Sequence, residues 1–170
     1  MANAIAFTRA GNIVIGDTAR GALWQVSLDR HGNVSSPTGC DQTYTADTLC
    51  LNDVLVESPY LEGVDGVAID SSGRIWAEAN ERQAIVVVDN HNGFTEFFRN
   101  PVDATTGRRN NGPLETPTSP VFLGRTLCTT SSDGNRRDNF PNSGGEVTNT
   151  GKISCLDQKL DVTGLPLPIH

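Results

Sequence analysis

Val64-Asp65-Gly66-Val67-Ala68-Ile69-Asp70-Ser71-Ser72-Gly73-Arg74-Ile75-Trp76-Ala77 is the stretch on which the fold turns. A short apolar run (67–69) enters a polar, glycine-containing turn (70–74) and returns as a second apolar run (75–77), which predicts a β-hairpin. The figure recurs on either side. Upstream, Asn3-Ala4-Ile5-Ala6-Phe7 passes through Arg9-Ala10-Gly11-Asn12 into Ile13-Val14-Ile15. Downstream, Ser119-Pro120-Val121-Phe122-Leu123 turns at Gly124-Arg125 into Thr126-Leu127-Cys128-Thr129. A third strand follows each hairpin, over 21–26, 84–88 and 151–156, and a polar turn over 89–93 leads the middle unit into a fourth, Phe94-Thr95-Glu96-Phe97-Phe98.

Strands grouped in threes and fours with glycine-rich punctuation are the mark of β-propeller blades. A β-sandwich also has short strands and frequent turns, but nothing in it requires one hairpin to repeat in phase. The chain is therefore read as all-β, a partial propeller in one domain of about three blades, over residues 3–60, 61–117 and 118–170. The repeat is longer than a compact blade of roughly 40–50 residues, so long loops are expected at 29–50, 99–117 and 131–150. Trp24 and Trp76 are read as occupying matching strand positions, packing between blades.

Composition agrees with a turn-rich β protein: 17 Gly, 9 Pro and 36% hydrophobic residues in 170. The net charge is −7, and basic residues are scattered apart from Arg108-Arg109 and Arg136-Arg137, which argues against a nucleic-acid partner. No run approaches the roughly 18 apolar residues of a membrane span. Met1-Ala2-Asn3 leads directly into an apolar strand, so no signal peptide is read. Cys40 and Cys50 bracket one polar loop, while Cys128 and Cys155 fall on two strands of one blade. Two local disulfides would favour a secreted or periplasmic compartment, with buried free thiols in the cytoplasm as the alternative. Three histidines and no CxxC pair argue against a zinc cluster.

The first strand of a blade lines the central channel, and the residue opening it sits at the channel mouth. The repeat places Asn3, Asp65 and Ser119 in that slot. Oxygen-bearing side chains converging from consecutive blades suit a hard divalent cation, calcium foremost, with magnesium, manganese or zinc as alternatives. The competing reading is that each starts its strand by bonding its own turn.

The Asp65 segment quoted above resembles the inner-strand motif of the gluconolactonase/regucalcin family, which includes luciferin-regenerating-enzyme-like proteins. Asn3-Ala4-Ile5-Ala6-Phe7 resembles that family's Asn-Gly motif one blade earlier. Asp17-Thr18-Ala19-Arg20-Gly21, Thr118-Ser119-Pro120-Val121-Phe122 and the ending Gly151-Lys152-Ile153-Ser154 to Leu165-Pro166-Leu167-Pro168 also fit. The resemblance implies the C-terminal half of a six-bladed propeller with one catalytic divalent cation near the axis. It implies Asn3 and Asp65 as metal ligands and Asp65 as the base that activates water. Ser119, Arg108 and Asn110, with neighbouring Arg109 and Asn111, become candidates for substrate contact, against a plain solvated rim for the loop residues. The family's remaining ligand, a Glu, and a substrate-facing Asn come from N-terminal blades outside this sequence. The implied activity is hydrolysis of a small-molecule lactone or ester by cation-activated water. A non-catalytic propeller that binds a ligand or protein is the alternative. Three blades leave two apolar faces uncovered, so the expected partner is a second copy of the chain or the missing N-terminal half.

Overall fold

The computed structural model describes residues 2–35, 53–105, 107, 109, 112–132, 151–157 and 159–166. Eleven strands in the described residues form three antiparallel sheets, and no α-helix occurs among them. The first sheet is a meander of β1 (Ala2–Phe7), β2 (Ile13–Asp17), β3 (Ala22–Val26) and β4 (Val54–Glu57). The second repeats it with β5 (Val64–Ile69), β6 (Ile75–Ala79), β7 (Ala84–Val88) and β8 (Phe94–Arg99). The third contains β9 (Pro117–Leu123), β10 (Thr126–Ser131) and β11 (Lys152–Cys155). The hairpin pattern foretold every one of these strands except β4, whose Val-Leu-Val-Glu is too short to stand out beside a long loop.

Aspartates build the turns. Asp70 Oδ1 accepts from the backbone N–H of Ser72 (2.8 Å) and Arg74 (3.1 Å), closing the β5–β6 hairpin. Asp89 repeats this with His91 and Gly93 between β7 and β8, and Asp29 with His31 and Asn33 after β3. Asx turns of this kind satisfy backbone donors that the tight reversal leaves over. Asp70 does more: its Oδ2 accepts from Arg74 Nε (2.7 Å) and Trp76 Nε1 (2.9 Å), fixing the buried indole.

The sheets stack face on face. Ala4, Val14 and Leu23 of the first meet Val64, Val67, Ile69, Ile75 and Ala77 of the second, with Leu61 between. Trp76, Ile85 and Val87 on the other face of the second sheet meet Phe122 and Leu127 of the third. Trp76 sets its edge against Phe122, with ring centroids 5.6 Å apart. Trp76 therefore packs between sheets as expected, but it stands on the second strand of its sheet while Trp24 stands on the third, so their positions do not match. The inner strands β1, β5 and β9 lie side by side. The C-terminal segment ties onto this inner wall through Leu165 N–H to Ile69 O and Ser71 N–H to Thr163 O, both 2.7 Å.

The tightest contact lies between β5 and β9. A Cβ added at Gly66 would fall 2.1 Å from the carbonyl oxygen of Thr118 and 2.7 Å from Pro120 Cδ, so β9 rests on the glycine backbone itself. Because the opposing atoms are backbone and a proline ring, they cannot swing away. Gly66→Ala is expected to lower unfolding free energy by roughly 2–3 kcal/mol, read from urea unfolding monitored by Trp76 fluorescence.

Candidate functional site

Each inner strand carries one extra residue near its start. In β1 the register steps from Ala2↔Asp17 to Ala4↔Gly16, leaving Asn3 as the bulge. In β5 it steps from Val64↔Ala79 to Val67↔Ala77, so Asp65 and Gly66 together oppose Glu78. In β9 it steps from Pro117↔Ser131 to Ser119↔Thr130, leaving Thr118. A bulge re-aims the side chain it carries, and these three fall at the same level of three adjacent strands. The residue level with Asn3 and Asp65 is therefore Thr118 and not Ser119. Pro120 stands where Ile5 and Val67 stand on their strands, so the apolar run of β9 begins one residue later and Ser119 only looks equivalent. Ser119 is exposed on the outer face of its sheet, in line with Val121 and Leu123. The Thr118 hydroxyl lies 2.9 Å from the Thr130 hydroxyl.

Asn3 is exposed and Asp65 partly buried. Asn80, in the 3-10 turn that follows β6, donates its Nδ2 to Asp65 Oδ2 at 3.1 Å. Partial burial pushes the Asp65 carboxyl above its ordinary range, while the Asn80 hydrogen bond works against that shift. The Thr18 hydroxyl donates to the Val64 carbonyl at 2.7 Å, so the loop after β2 also holds the entrance to β5.

Glu78, on β6 opposite the Asp65 bulge, is fully buried. Neither Oε1 nor Oε2 has a hydrogen-bond partner, although the Thr129 hydroxyl is close enough to favour the ionised form slightly; that hydroxyl donates to the Thr130 carbonyl at 3.1 Å. Burial, with the neighbouring Asp65 charge adding to it, pushes the Glu78 carboxyl up to about 8. Glu78 and Asn80 were not singled out from sequence. The available signal was an acid flanked by alanines in Ile75-Trp76-Ala77-Glu78-Ala79, a strand buried at every position.

Arg108 and Asn110 lie outside the described residues, as do Asn111, Cys40 and Cys50. Arg109 is not a solvated rim residue: its guanidinium donates to the Asn100 carbonyl, and Asn100 Nδ2 donates to the Arg109 carbonyl at 2.7 Å. Asn100 is buried and also receives the Leu114 N–H at 3.1 Å, pinning the loop between β8 and β9. Cys128 and Cys155 face each other across β10 and β11 and form a disulfide. No helix among the described residues is long and apolar enough to cross a membrane.

Among the described residues no group of three His, Cys, Asp or Glu is arranged to hold a metal. The donors at the bulged end are nevertheless all oxygens: the Asn3 amide, the Asp65 carboxylate and the two orphaned oxygens of Glu78. Such a set fits a hard cation and not a thiolate-seeking one. At the opposite end of the inner strands lies an apolar concavity of about 630 Å3, lined by Ile5, Phe7, Ile69, Val121, Phe122 and Leu165 among others. Its lining carries no titratable side chain and includes none of the bulged residues.

The sequence profile of the SMP-30/gluconolactonase/LRE-like region matches residues 1–132. Among solved structures, a provisionally assigned gluconolactonase is similar with a TM-score of 0.57 and 20% identity, over 98% of this chain and 41% of that one. Luciferin-regenerating enzyme is similar with a TM-score of 0.57 and 15% identity, over 97% of this chain and 47% of its own. A calcium-binding protein, regucalcin, from Agrobacterium tumefaciens has a TM-score of 0.49 and 22% identity, over 76% and 37%. No curated protein matches. The chain thus spans less than half the length of these relatives. Its three sheets are an arc of about three blades of a six-bladed β-propeller, and the arc is not closed.

A buried acid with a raised pKa binds a proton in the folded state that the unfolded chain has already released. Its stabilisation is complete below the ordinary Glu value of 4.5 and is lost as pH rises through about 8. Burial also raises Asp53 and Asp65, in the same sense. The melting temperature is expected to fall between pH 5 and pH 9, by on the order of 5 °C or more. Glu78→Gln, which stays neutral throughout, is expected to flatten most of that slope in thermal scans across the range.

Proposed function

Since this chain belongs to the SMP-30/gluconolactonase/LRE-like family, we propose that it is the C-terminal half of a metal-dependent hydrolase that opens sugar-lactone or related ester rings. The observation that carries this reading is Asp65, a partly desolvated carboxylate on a bulge at the start of an inner strand. One of its oxygens is held by Asn80 at 3.1 Å. Asn3 occupies the matching bulge on the neighbouring strand.

When bound, a divalent cation at this mouth polarises the carbonyl of the substrate and acidifies a water. Asp65 and Asn3 would hold it. Asp65 also serves as proton acceptor: partial burial raises its basicity, and Asn80 fixes one oxygen so that the other is presented in one direction. The bulge turns the carboxylate out of the ladder, and the Thr18 bond to Val64 keeps the strand entrance still.

The arc works as part of a closed ring. Ile5 (63% exposed) and Phe7 on the outer face of the first sheet, and Val121, Leu123 (63%) and Ile153 (72%) on the outer face of the third, are apolar surfaces of the kind a neighbouring blade covers. Either the N-terminal half of the ring or a second copy of this chain supplies that cover. A non-catalytic scaffold is the second reading, favoured by the lack of a three-residue ligand group among the described residues.

In a preparation with the ring complete, Asp65→Ala is expected to abolish calorimetric calcium binding and lower kcat/KM for lactone hydrolysis by roughly 10²–10⁴-fold. An intact ring with neither cation affinity nor ring-opening activity leaves the scaffold. For the chain alone at micromolar concentration, sedimentation is expected to show a dimer or larger species. A well-folded monomer would contradict the two-copy ring.

A further inference from the structure

Among the described residues Glu78 is a carboxylate in the interior of a sheet stack whose two oxygens both lack a hydrogen-bond partner, and the proposed chemistry does not use it. Glu78 points from β6 toward the third sheet, beside Ile85 on β7 and the Thr129 side of β10. It has no exposed surface, and both oxygens lack a donor. The ladder sets it opposite Asp65 and Gly66, one strand further from the channel than the Asp65 bulge. The charged group acting on it is Asp65, of the same sign.

We propose that Glu78 is an inner ligand of a hard divalent cation, calcium being the best match, shared with Asp65 at the seam between the second and third sheets. The proposal rests on the hydrolase reading for the presence of a cation at the mouth, and adds a ligand supplied from within the arc. Two buried-site problems have one remedy here. Orphaned carboxylate oxygens in a desolvated place are unfavourable, and a second carboxylate beside them makes the place worse. A cation between the two carboxylates coordinates the idle oxygens and reverses the sign of the local field. Protonation alone is a weaker remedy, because a neutral Glu78 has only the Thr129 hydroxyl nearby to serve both its hydroxyl donor and its carbonyl acceptor. The site is oxygen-only and anionic, so it selects calcium or manganese over thiolate-seeking metals.

The test is titration of the whole chain with calcium, and with terbium as a luminescent probe, at pH 7.5. It compares the native protein with Glu78→Gln, Asp65→Asn and Asp161→Asn, the last a fully exposed acid paired with Arg125 on the distal β9–β10 turn. Glu78→Gln is expected to weaken calcium about tenfold or more while its metal-free melting temperature is no lower than native, and Asp161→Asn to change nothing. If Glu78→Gln binds as tightly as native while Asp65→Asn does not bind, Glu78 is no ligand and the hydrolase reading survives. If the native chain binds no divalent cation, the Glu78 site falls, and the hydrolase reading is left to the measurement on the complete ring. Should Glu78→Gln melt well below native, Glu78→Asp decides. It keeps the carboxylate on a shorter arm, so weakened but measurable binding supports the ligand role and native-strength binding overturns it.

Discussion

A sheet whose both faces are apolar must have both faces covered, and that constraint organises this molecule. The middle sheet satisfies it: Val67, Ile69 and Ile75 close against the first sheet, Trp76 and Ile85 against the third. Its inner strand is approached so closely that Gly66 has no room for a methyl group. The outer sheets satisfy it on one face only. The exposed isoleucines, valine and leucine at the two ends of the arc are the same constraint left unmet, and they are why a ring, and not a stack of three, is the architecture these blades serve.

The same close approach shapes the mouth. Bringing β9 against β5 buries the start of the inner strand on one side, which desolvates Asp65 and seals Glu78 away from water. One extra residue in each inner strand then lifts Asn3, Asp65 and Thr118 out of the regular ladder. Asp65 and Glu78 differ in what they receive: Asp65 has Asn80 and partial access to solvent, Glu78 has neither. Two acids on neighbouring strands are thereby set to different proton affinities, the arrangement from which proton-accepting and cation-holding roles are made.

Much of this was readable in advance, for a physical reason that differs from residue to residue. Gly73 and Gly124, apolar pairs such as Ile13-Val14-Ile15, and the Asp-led turns carry their conformational preference locally, so hairpins could be placed one by one. Asp65 stood out because its segment repeats a family motif. Ser119 lies one position past the bulge and looks equivalent because Pro120 stands on β9 where Ile5 and Val67 stand on their strands, so the apolar run begins one residue later. The two tryptophans looked equivalent because a strand number is not written into a strand. β4 escaped because four residues carry too little periodicity.

Strand content, hairpin pairing, the repeat of a blade and the presence of an oxygen-bearing residue at the head of each inner strand were all determined by the sequence alone, since each depends on neighbours within about a dozen residues. The tertiary structure alone decided which atoms lose water. Glu78 is an unremarkable acid until the third sheet lies over it, and Asp65 an ordinary one until Asn80 and β9 close around its strand. Desolvation comes from β9 and β10, strands of a different sheet far along the chain, and no local pattern records it.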